Sequence, residues 1–350
     1  METEQVVEPR WQRRGQVMKI LFIGGTGTIS QAVSQLAVDR GIELVLLNRG
    51  RTMDRAVPGA RIIQADIRGD EADRALFGEK FDAVVDWVCF TAEHAADDVR
   101  RFSGKTRQFI FISSASVYQK PPAQAVVTES TPLANPFWNY ARDKIACELL
   151  FMQAYREQGF PVTIVRPSHT YGTRSVPAGL NSSRHPWSLV DRMRRGESVV
   201  VHGDGSSLWT MTYNTDFAAG FLGLVGSPVA LGHAVHITSD ELLTWDQIYR
   251  TIGEAAGVTP NLVHIASDFI ARALPTQAGS LLGDKSVSVI FDNQKIKRMV
   301  PGFTAVVPFA EGMRRSMAWF SKHPDQQTVD AEWNREIDTL LRRYREIGNG

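Results

Sequence analysis

Short apolar runs alternate with helical segments along the first half of the chain. The runs are residues 19–25, 42–48, 61–66, 81–88, 107–114 and 161–167. Each run is apolar on both faces, which is typical of buried parallel strands covered by helices on each side. Between them, residues 29–41 and 137–158 have the apolar spacing of helices and lead into a glycine. The alternation predicts an α/β fold with a doubly wound parallel sheet.

Composition and charge narrow the classes of function. The chain has 350 residues, 43% of them hydrophobic, so it can bury a large core. Its formal net charge of +1 provides no global field for a polyanion, so neither nucleic acid nor a membrane is an expected partner. With only two cysteines, Cys89 and Cys147, we expect no disulfide framework and a cytoplasmic location. The histidines lack metal-site spacing, so no metal is expected.

The turn after the first apolar run is rich in glycine. Glycines in a strand-to-helix turn let the backbone approach a pyrophosphate, whose charge is stabilised at the helix N-terminus. Gly24 and Gly27 match the first two glycines of the dinucleotide-binding pattern, and Ser30 stands at the third. A bare structural turn is the alternative, but the position at the first strand-to-helix turn favours a nucleotide. The expected coenzyme contacts in this turn are Gly24, Thr26, Gly27, Thr28 and Ile29.

The end of the second predicted strand bears on the choice of coenzyme. NAD-binding proteins commonly have an acidic residue there, which binds the ribose hydroxyls. This chain has Asn48, followed by Arg49 and Arg51. A neutral residue with two guanidinium groups suits a 2′-phosphate, so NADP is favoured modestly over NAD. The alternative is that both arginines merely lie in an exposed loop.

A second constellation lies in the predicted helix at 137–158. Tyr140 and Lys144 are four residues apart and therefore share one face of the helix. An ammonium beside a phenol favours the phenolate, so we expect Lys144 to lower the pKa of Tyr140 for acid–base catalysis. Ile145, Leu149 and Met152 form an apolar stripe that we expect to dock this helix on the sheet.

Two serines complete the candidate catalytic set. Ser113 and Ser114 end a predicted strand, at the edge where doubly wound sheets bind ligands. A hydroxyl at position 114 can hold a substrate oxygen while Tyr140 moves the proton. We therefore expect Ser114, Tyr140 and Lys144 to be the catalytic residues.

These motifs, in this order, resemble those of extended short-chain dehydrogenases/reductases, the family of NAD(P)-dependent sugar epimerases and dehydratases. The resemblance covers the chain from about residue 18 to residue 320. Its further motifs are Asp66 with Ile67, the segment RPSHTYG at 166–172, the GDG turn at 203–205, and Asp216. It implies further coenzyme contacts from Asp66, Ile67, Val88, Ser113, Tyr140, Lys144, Pro167 and His169.

The resemblance implies a Rossmann domain with a smaller C-terminal lobe that binds the substrate. The expected units are a flexible tail (1–17), the Rossmann domain (18–172, with return segments at about 205–236), the substrate-binding lobe (173–204 and 237–322) and a C-terminal helix (323–350). It also implies a homodimer.

Departures from the family pattern bear on the substrate. Relatives that act on sugar nucleotides have an arginine after the GDG turn that grips the diphosphate, whereas this chain has Trp209. An indole cannot neutralise a diphosphate, although Arg184 could substitute for the missing guanidinium. Ala115 and Ser116 replace the Asp-Glu pair of the dehydratases, so dehydration is not expected. The expected substrate contacts are Ser114, Ser116, His169, Arg184 and Trp209.

The resemblance therefore implies an enzyme of carbohydrate metabolism that transfers a hydride at a hydroxyl or keto carbon of a sugar-like substrate. Epimerisation and net oxidation or reduction share these motifs, so both stay open. The alternative is a protein without catalytic activity on the same fold, either an RNA-binding protein or a coenzyme sensor. The intact Ser114, Tyr140 and Lys144 favour the enzyme, and the near-neutral charge counts against RNA.

Overall fold

The structure of the protein is a computed structural model that describes residues 17–348. The predicted tail at 1–17 therefore falls almost wholly outside the described residues. Within the described range, no helix has the length and apolar character needed to cross a membrane.

A parallel sheet of seven strands forms the centre of the molecule. The strands of the described chain are β1 (Lys19–Ile23), β2 (Glu43–Asn48), β3 (Arg61–Gln64), β4 (Phe81–Asp86), β5 (Thr106–Ile112), β6 (Val126–Val127), β7 (Val162–Pro167), β8 (His169–Tyr171), β9 (Ser198–His202), β10 (Leu208–Trp209), β11 (Met211–Tyr213), β12 (Ala234–Ile237), β13 (Leu243–Thr244), β14 (Asn261–Ile265) and β15 (Ile290–Phe291). The order in the main sheet is β12-β7-β5-β4-β1-β2-β3. The six apolar runs of the first half of the chain all became strands of this sheet.

Helices cover both faces of the sheet, as the two-sided apolar runs predict. The helices are α1 (Thr28–Asp39), α2 (Asp70–Ala75), α3 (Ala92–Phe102), α4 (Asn139–Gln158), α5 (Trp187–Arg194), α6 (Asn214–Leu224), α7 (Trp245–Ala255), α8 (Ser267–Ala273), α9 (Pro275–Ser280), α10 (Gln294–Met299), α11 (Phe309–Lys322) and α12 (Ala331–Gly348). Ile20 and Phe22 of β1 pack in the core on the side of α1 and α6, whereas Leu21 and Ile23 pack in the core on the side of α3 and α4. The alternation of side chains along each strand thus fills two cores.

Helix α4 docks on the sheet through a face that its apolar stripe did not predict. Leu149 is 60% exposed, while Lys144 and Glu148 are each 2% exposed. Both buried charges have partners, since Arg166 donates to both carboxylate oxygens of Glu148 and Lys144 bonds main-chain carbonyls. Paired charges can be buried. The other buried residues of this docking face are Ala141, Cys147, Phe151 and Ala154.

A second lobe covers the carboxyl edge of the sheet. Its main core is built around Trp187, Trp209, Trp245 and Tyr249. A smaller core lies under α12, which buries Trp333 and neighbouring apolar residues of that helix against residues of α8, β9 and β14. The C-terminal helix thus packs on its own chain.

Candidate active site

A cavity of about 300 Å³ lies where the sheet edge meets the second lobe. Its lining residues come from the ends of β5 and β7, the start of α4 and the π-helical turn Leu281–Lys285. They are Ser114, Ala115, Ser116, Trp138, Tyr140, Pro167, Ser168, His169, Asp284 and Lys285. The cavity is therefore at the carboxyl ends of parallel strands, where open α/β sheets bind their ligands.

Ser114 lies directly beyond β5 and caps a short 3₁₀ turn at Ala115–Val117. Its Oγ atom accepts the main-chain N–H of Ser116 at 3.2 Å and lies 2.9 Å from the Oγ atom of Ser116. These bonds fix the rotamer of Ser114 at the cavity wall. The expected contacts Ser114 and Ser116 thus lie side by side on one wall.

Tyr140 and Lys144 lie on the first two turns of α4. The ammonium of Lys144 donates to the carbonyl oxygens of Cys89 at 2.6 Å and Ile112 at 2.8 Å. It lies 5.8 Å from the centre of the Tyr140 ring. Lys144 therefore joins the ends of β4 and β5 to α4 and holds the tyrosine beside Ser114.

The pKa of Tyr140 differs from our expectation. Burial raises the pKa of the Tyr140 phenol, and the neighbouring Ser114 hydroxyl acts in the opposite direction. The ammonium of Lys144 bonds two main-chain carbonyls rather than the phenol oxygen. Burial also lowers the pKa of Lys144. The protein alone thus keeps Tyr140 protonated, as a proton donor requires.

The part of the cavity wall formed by the turn Leu281–Lys285 carries charged groups that no sequence motif indicated. Asp284 lies 3.4 Å from the ammonium of Lys120, which is almost fully buried behind it. Lys285 follows directly and also lines the cavity. Burial and the nearby Lys285 lower the pKa of His169 to about 3, so the imidazole is neutral near pH 7.

The glycine turn has the geometry of a nucleotide cradle. Gly24 has a φ of 98°, and a Cβ atom there would lie 3.3 Å from the Cβ atom of Trp87. Both features require glycine at this position. The first turn of α1 carries no acidic side chain. Ser30 occupies the third position as a buried residue and accepts the N–H of Gly27 at 2.9 Å. The residues present therefore fit a pyrophosphate at this helix start.

The end of β2 fits the adenosine end of a dinucleotide. The Nδ2 group of Asn48 is buried and lacks a partner among the described residues. Arg49 and Arg51 are exposed, and neither forms an ion pair within residues 17–348. Thr26 of the glycine turn bonds Thr52 at 2.6 Å between their hydroxyl oxygens, which ties the turn to this loop.

Other expected coenzyme contacts line the same edge of the sheet. Asp66 follows β3, and its carboxylate accepts the N–H of Arg68 at 3.0 Å. Ile67 packs its side chain in the core, so only its main chain is available to a ligand. Val88 follows β4 beside Gly24. The Oγ atom of Ser113, at the end of β5, is buried without a partner in the described chain.

Two expected substrate contacts lie away from the cavity. Arg184 is exposed on the surface and bonds Glu332 at 2.8 Å. Trp209 is only 1% exposed and stacks on Trp245 with ring centres 5.5 Å apart. A carboxylate of α12 binds Arg184, and the indole of Trp209 packs in the core of the second lobe, so this structure brings neither side chain to the cavity.

Several residues that line the cavity were not predicted. Ser168 lies between the expected contacts Pro167 and His169, and its buried Oγ atom has no partner within residues 17–348. Trp138 lies two residues before Tyr140, with ring centres 4.8 Å apart. Their positions beside recognised residues could have indicated both. Lys285 had no such signal because it is remote in the sequence.

A group of buried ligand-type side chains lies behind Lys144. Oxygen and sulfur atoms of Asp86, Cys89 and Asp98 are within 4.8 Å of one another. The guanidinium of Arg68, however, bonds Asp86 and Asp98, each at 2.7 Å. The single charge of Arg68 offsets one carboxylate, and burial together with Asp86 raises the pKa of Asp98. The cluster is therefore a buried ion-pair network.

Comparison with known proteins places this site in a family. Residues 20–237 match the model described as the NAD dependent epimerase/dehydratase family. The chain belongs to that family. The match confirms the resemblance drawn from the sequence motifs.

Individual members of the epimerase/dehydratase family are distant from this chain. The 2'-dehydrokanamycin reductase of Streptomyces kanamyceticus is 25% identical over 287 residues, which are 82% of this chain and 80% of that protein. The chloroplast stem-loop binding protein of 41 kDa b of Arabidopsis thaliana is 26% identical over 263 residues, which are 70% of this chain and 65% of that protein.

A solved structure of the same fold is the UDP-glucuronic acid 4-epimerase of Bacillus cereus in complex with UDP-glucuronic acid and NAD. It superposes with a TM-score of 0.70 at 17% identity and covers 87% of this chain and 99% of that chain. The superposition confirms the doubly wound fold.

Proposed function

We propose that the protein is an NAD(P)-dependent oxidoreductase that interconverts a hydroxyl and a keto group on a sugar-like substrate. The observation that carries the proposal is that Ser114 and Tyr140 line one wall of the cavity, with the buried ammonium of Lys144 5.8 Å from the centre of the Tyr140 ring. A nicotinamide coenzyme, when bound, accepts the hydride from the carbinol carbon or returns one to the carbonyl carbon.

The residues of the chain handle the proton and the alignment. Ser114 donates a hydrogen bond to the substrate oxygen and holds it beside the phenol of Tyr140. Tyr140 gives its proton to that oxygen in reduction and removes it in oxidation. Lys144, fixed by two carbonyls, aligns α4 and places a positive charge near the phenolate that reduction leaves behind.

Residues that would hold the coenzyme extend from the cavity to the end of β2. The turn from Gly24 to Ile29 would hold the pyrophosphate, and Asp66 and Val88 would border the adenine side. Asn48, Arg49 and Arg51 support NADP, since an amide donor and two cations without partners in the described structure suit a 2′-phosphate.

Net reduction or oxidation is better supported than epimerisation. An epimerase must turn its keto intermediate over while the rest of the substrate stays anchored. The described lining of the cavity contains no arginine that could anchor a diphosphate, and Trp209 is buried elsewhere. Similarity to a reductase over 82% of this chain supports the same choice. The predicted homodimer and cytoplasmic location stay predictions.

The variant Tyr140→Phe tests the proposed function directly. Removing the hydroxyl should lower hydride transfer by about 10²–10⁴-fold, the usual contribution of a general acid–base group. Coenzyme affinity should stay close to that of the native protein because the ring is retained. Oxidation of NADPH by a panel of keto sugars provides the rate, and full activity in the variant would refute the role of Tyr140.

RNA binding is a second candidate, favoured by the similarity to the chloroplast stem-loop binding protein. The formal net charge of +1 offers little attraction to a polyanion. A stem-loop RNA should accordingly bind weakly, with affinity that disappears at physiological salt. Tight and sequence-selective RNA binding that survives Tyr140→Phe would favour this candidate instead.

A further inference from the structure

The charged groups of the cavity wall are few and can be counted. Among its described lining residues, Asp284 and Lys285 are the one carboxyl and the one amino side chain. Burial raises the pKa of Asp284 and lowers that of Lys285. His169 lies on the same wall as a neutral imidazole, because burial and Lys285 lower its pKa to about 3. The charge that a substrate meets opposite Ser114 is therefore decided by Asp284, Lys285 and the groups directly behind them.

Asp284 is already neutralised from within the protein. Its carboxylate lies 3.4 Å from the ammonium of Lys120, whose side chain is 1% exposed. Lys120 is held in place by one main-chain bond, from its N–H to the carbonyl oxygen of Ala134, and by a contact with the Trp209 ring. The aspartate has no need of a cation from the substrate, so it does not indicate an amino sugar.

The ammonium of Lys285 has no ion-pair partner comparable to that of Asp284 in the described structure. It forms no hydrogen bond or ion pair within residues 17–348. Burial in this wall lowers the pKa of Lys285, and the charge of the neighbouring Asp284 acts in the opposite direction. Its main chain is fixed, since its carbonyl oxygen bonds the ring nitrogens of His202 at 3.0 Å and Trp245 at 3.1 Å. With Lys120 and Asp284 cancelling, this wall has one uncompensated positive charge on a rigid support.

We propose that Lys285 binds a carboxylate of the substrate, and that the substrate is therefore a sugar acid of monosaccharide size. A partly buried cation without a partner gains most from an anion that the ligand brings. One net charge matches a monocarboxylate better than a phosphate dianion. The volume of about 300 Å³ is at the lower end for ligand pockets, which suits one sugar ring. This inference rests on the proposed function.

Matched pairs of sugars test the proposal. Binding of glucuronate against glucose, and of galacturonate against galactose, is measured by calorimetry on the full chain saturated with NADP⁺. Glucose-6-phosphate and glucosamine test the phosphate and the ammonium. At least one sugar acid should bind about tenfold or more tightly than its neutral counterpart, as expected for one charged hydrogen bond.

Variants of Lys285 locate the effect. Lys285→Gln should abolish the preference for the acid, whereas Lys285→Arg should keep most of it. Lys322→Gln removes an exposed lysine of α11 as the matched control and should change nothing. Thermal melting of each variant shows that the fold is retained, and the main-chain bonds of residue 285 do not depend on its side chain.

Each possible outcome of these experiments either supports or overturns the proposal. Equal binding of acid and neutral sugar in both pairs, a preference that survives Lys285→Gln, or tightest binding of the phosphate or the amino sugar overturns the proposal. Sugar acids that bind through Lys285 but undergo no hydride transfer would contradict the proposed function and leave this inference standing. Hydride transfer to neutral sugars that does not depend on Lys285 would support the proposed function and overturn this inference.

Discussion

The two walls of the cavity hold their lysines in opposite ways. Lys144 is 2% exposed, and its ammonium is bonded to two main-chain carbonyls. Lys285 is held only through its main chain, and its ammonium has no partner in the described structure. A cation whose hydrogen bonds are satisfied by the protein serves alignment, whereas one without partners is available to a ligand. We therefore assign catalysis to the wall beside Lys144 and substrate recognition to the wall that carries Lys285.

The first prediction concerns Lys144, on the wall that aligns the catalytic residues (the aligned wall). Lys144→Met should lower turnover by about 10²-fold, because Tyr140 loses its alignment and the nearby positive charge. It should also lower the free energy of unfolding by about 1–3 kcal/mol, since the carbonyls of Cys89 and Ile112 lose a buried donor. Steady-state kinetics and denaturant unfolding measure the two effects. Exposed Lys105→Met is the matched control, and wild-type turnover in Lys144→Met would contradict this assignment.

The second prediction concerns the two arginines at the adenosine end of the coenzyme site. Arg49 and Arg51 resemble Lys285 in being cations without ion-pair partners in the described chain. Replacing both by alanine should weaken NADP binding about tenfold or more and leave NAD binding nearly unchanged, because only NADP brings the 2′-phosphate. Titration of the apo protein with each coenzyme measures this.

The matched control for the arginine pair is Arg107→Ala, which removes an arginine whose side chain is 83% exposed. An equal loss of NAD affinity in the double variant would show that the two arginines do not read the phosphate.

The third effect concerns His169, which lines the cavity near Lys285. Its pKa is lowered to about 3 in the folded state, chiefly by burial, so the unfolded chain binds a proton first as the pH falls below about 6.5. Acid therefore favours unfolding through this residue. Relative to His169→Gln, the native protein should lose up to about 1.4 kcal/mol of stability per pH unit in this range. Parallel unfolding curves of the two proteins at pH 6.5 and pH 4.5 would contradict the burial of a neutral imidazole.

The aligned wall could be predicted from the sequence because its parts are local. Ser114 directly follows an apolar run, and Tyr140 and Lys144 have helical spacing, so their proximity follows from β5 and α4 alone. The same local logic failed for the docking face of α4. It placed Leu149 inward, whereas the ion pair of Glu148 with Arg166 and the carbonyl bonds of Lys144 occupy that face.

The recognising wall could not be predicted because tertiary packing builds it. Trp209 follows the GDG turn, and Arg184 was expected to replace the missing guanidinium. The indole of Trp209 nevertheless stacks on Trp245, and Arg184 bonds Glu332. Lys285 lies in a π-helical turn with no sequence signature, and it reaches the cavity only because the second lobe folds over the sheet. Local pattern therefore predicts the chemistry of this fold far better than its specificity.

The most direct test of the account is the coenzyme state of the purified protein, read by identifying any nucleotide released on denaturation and by titrating the apo form. An oxidoreductase that exchanges its coenzyme at every turnover should release little nucleotide and bind NADP reversibly and more tightly than NAD. NAD⁺ that is retained through purification would indicate a recycled coenzyme, as in an epimerase, and would contradict the central claim of net hydride transfer.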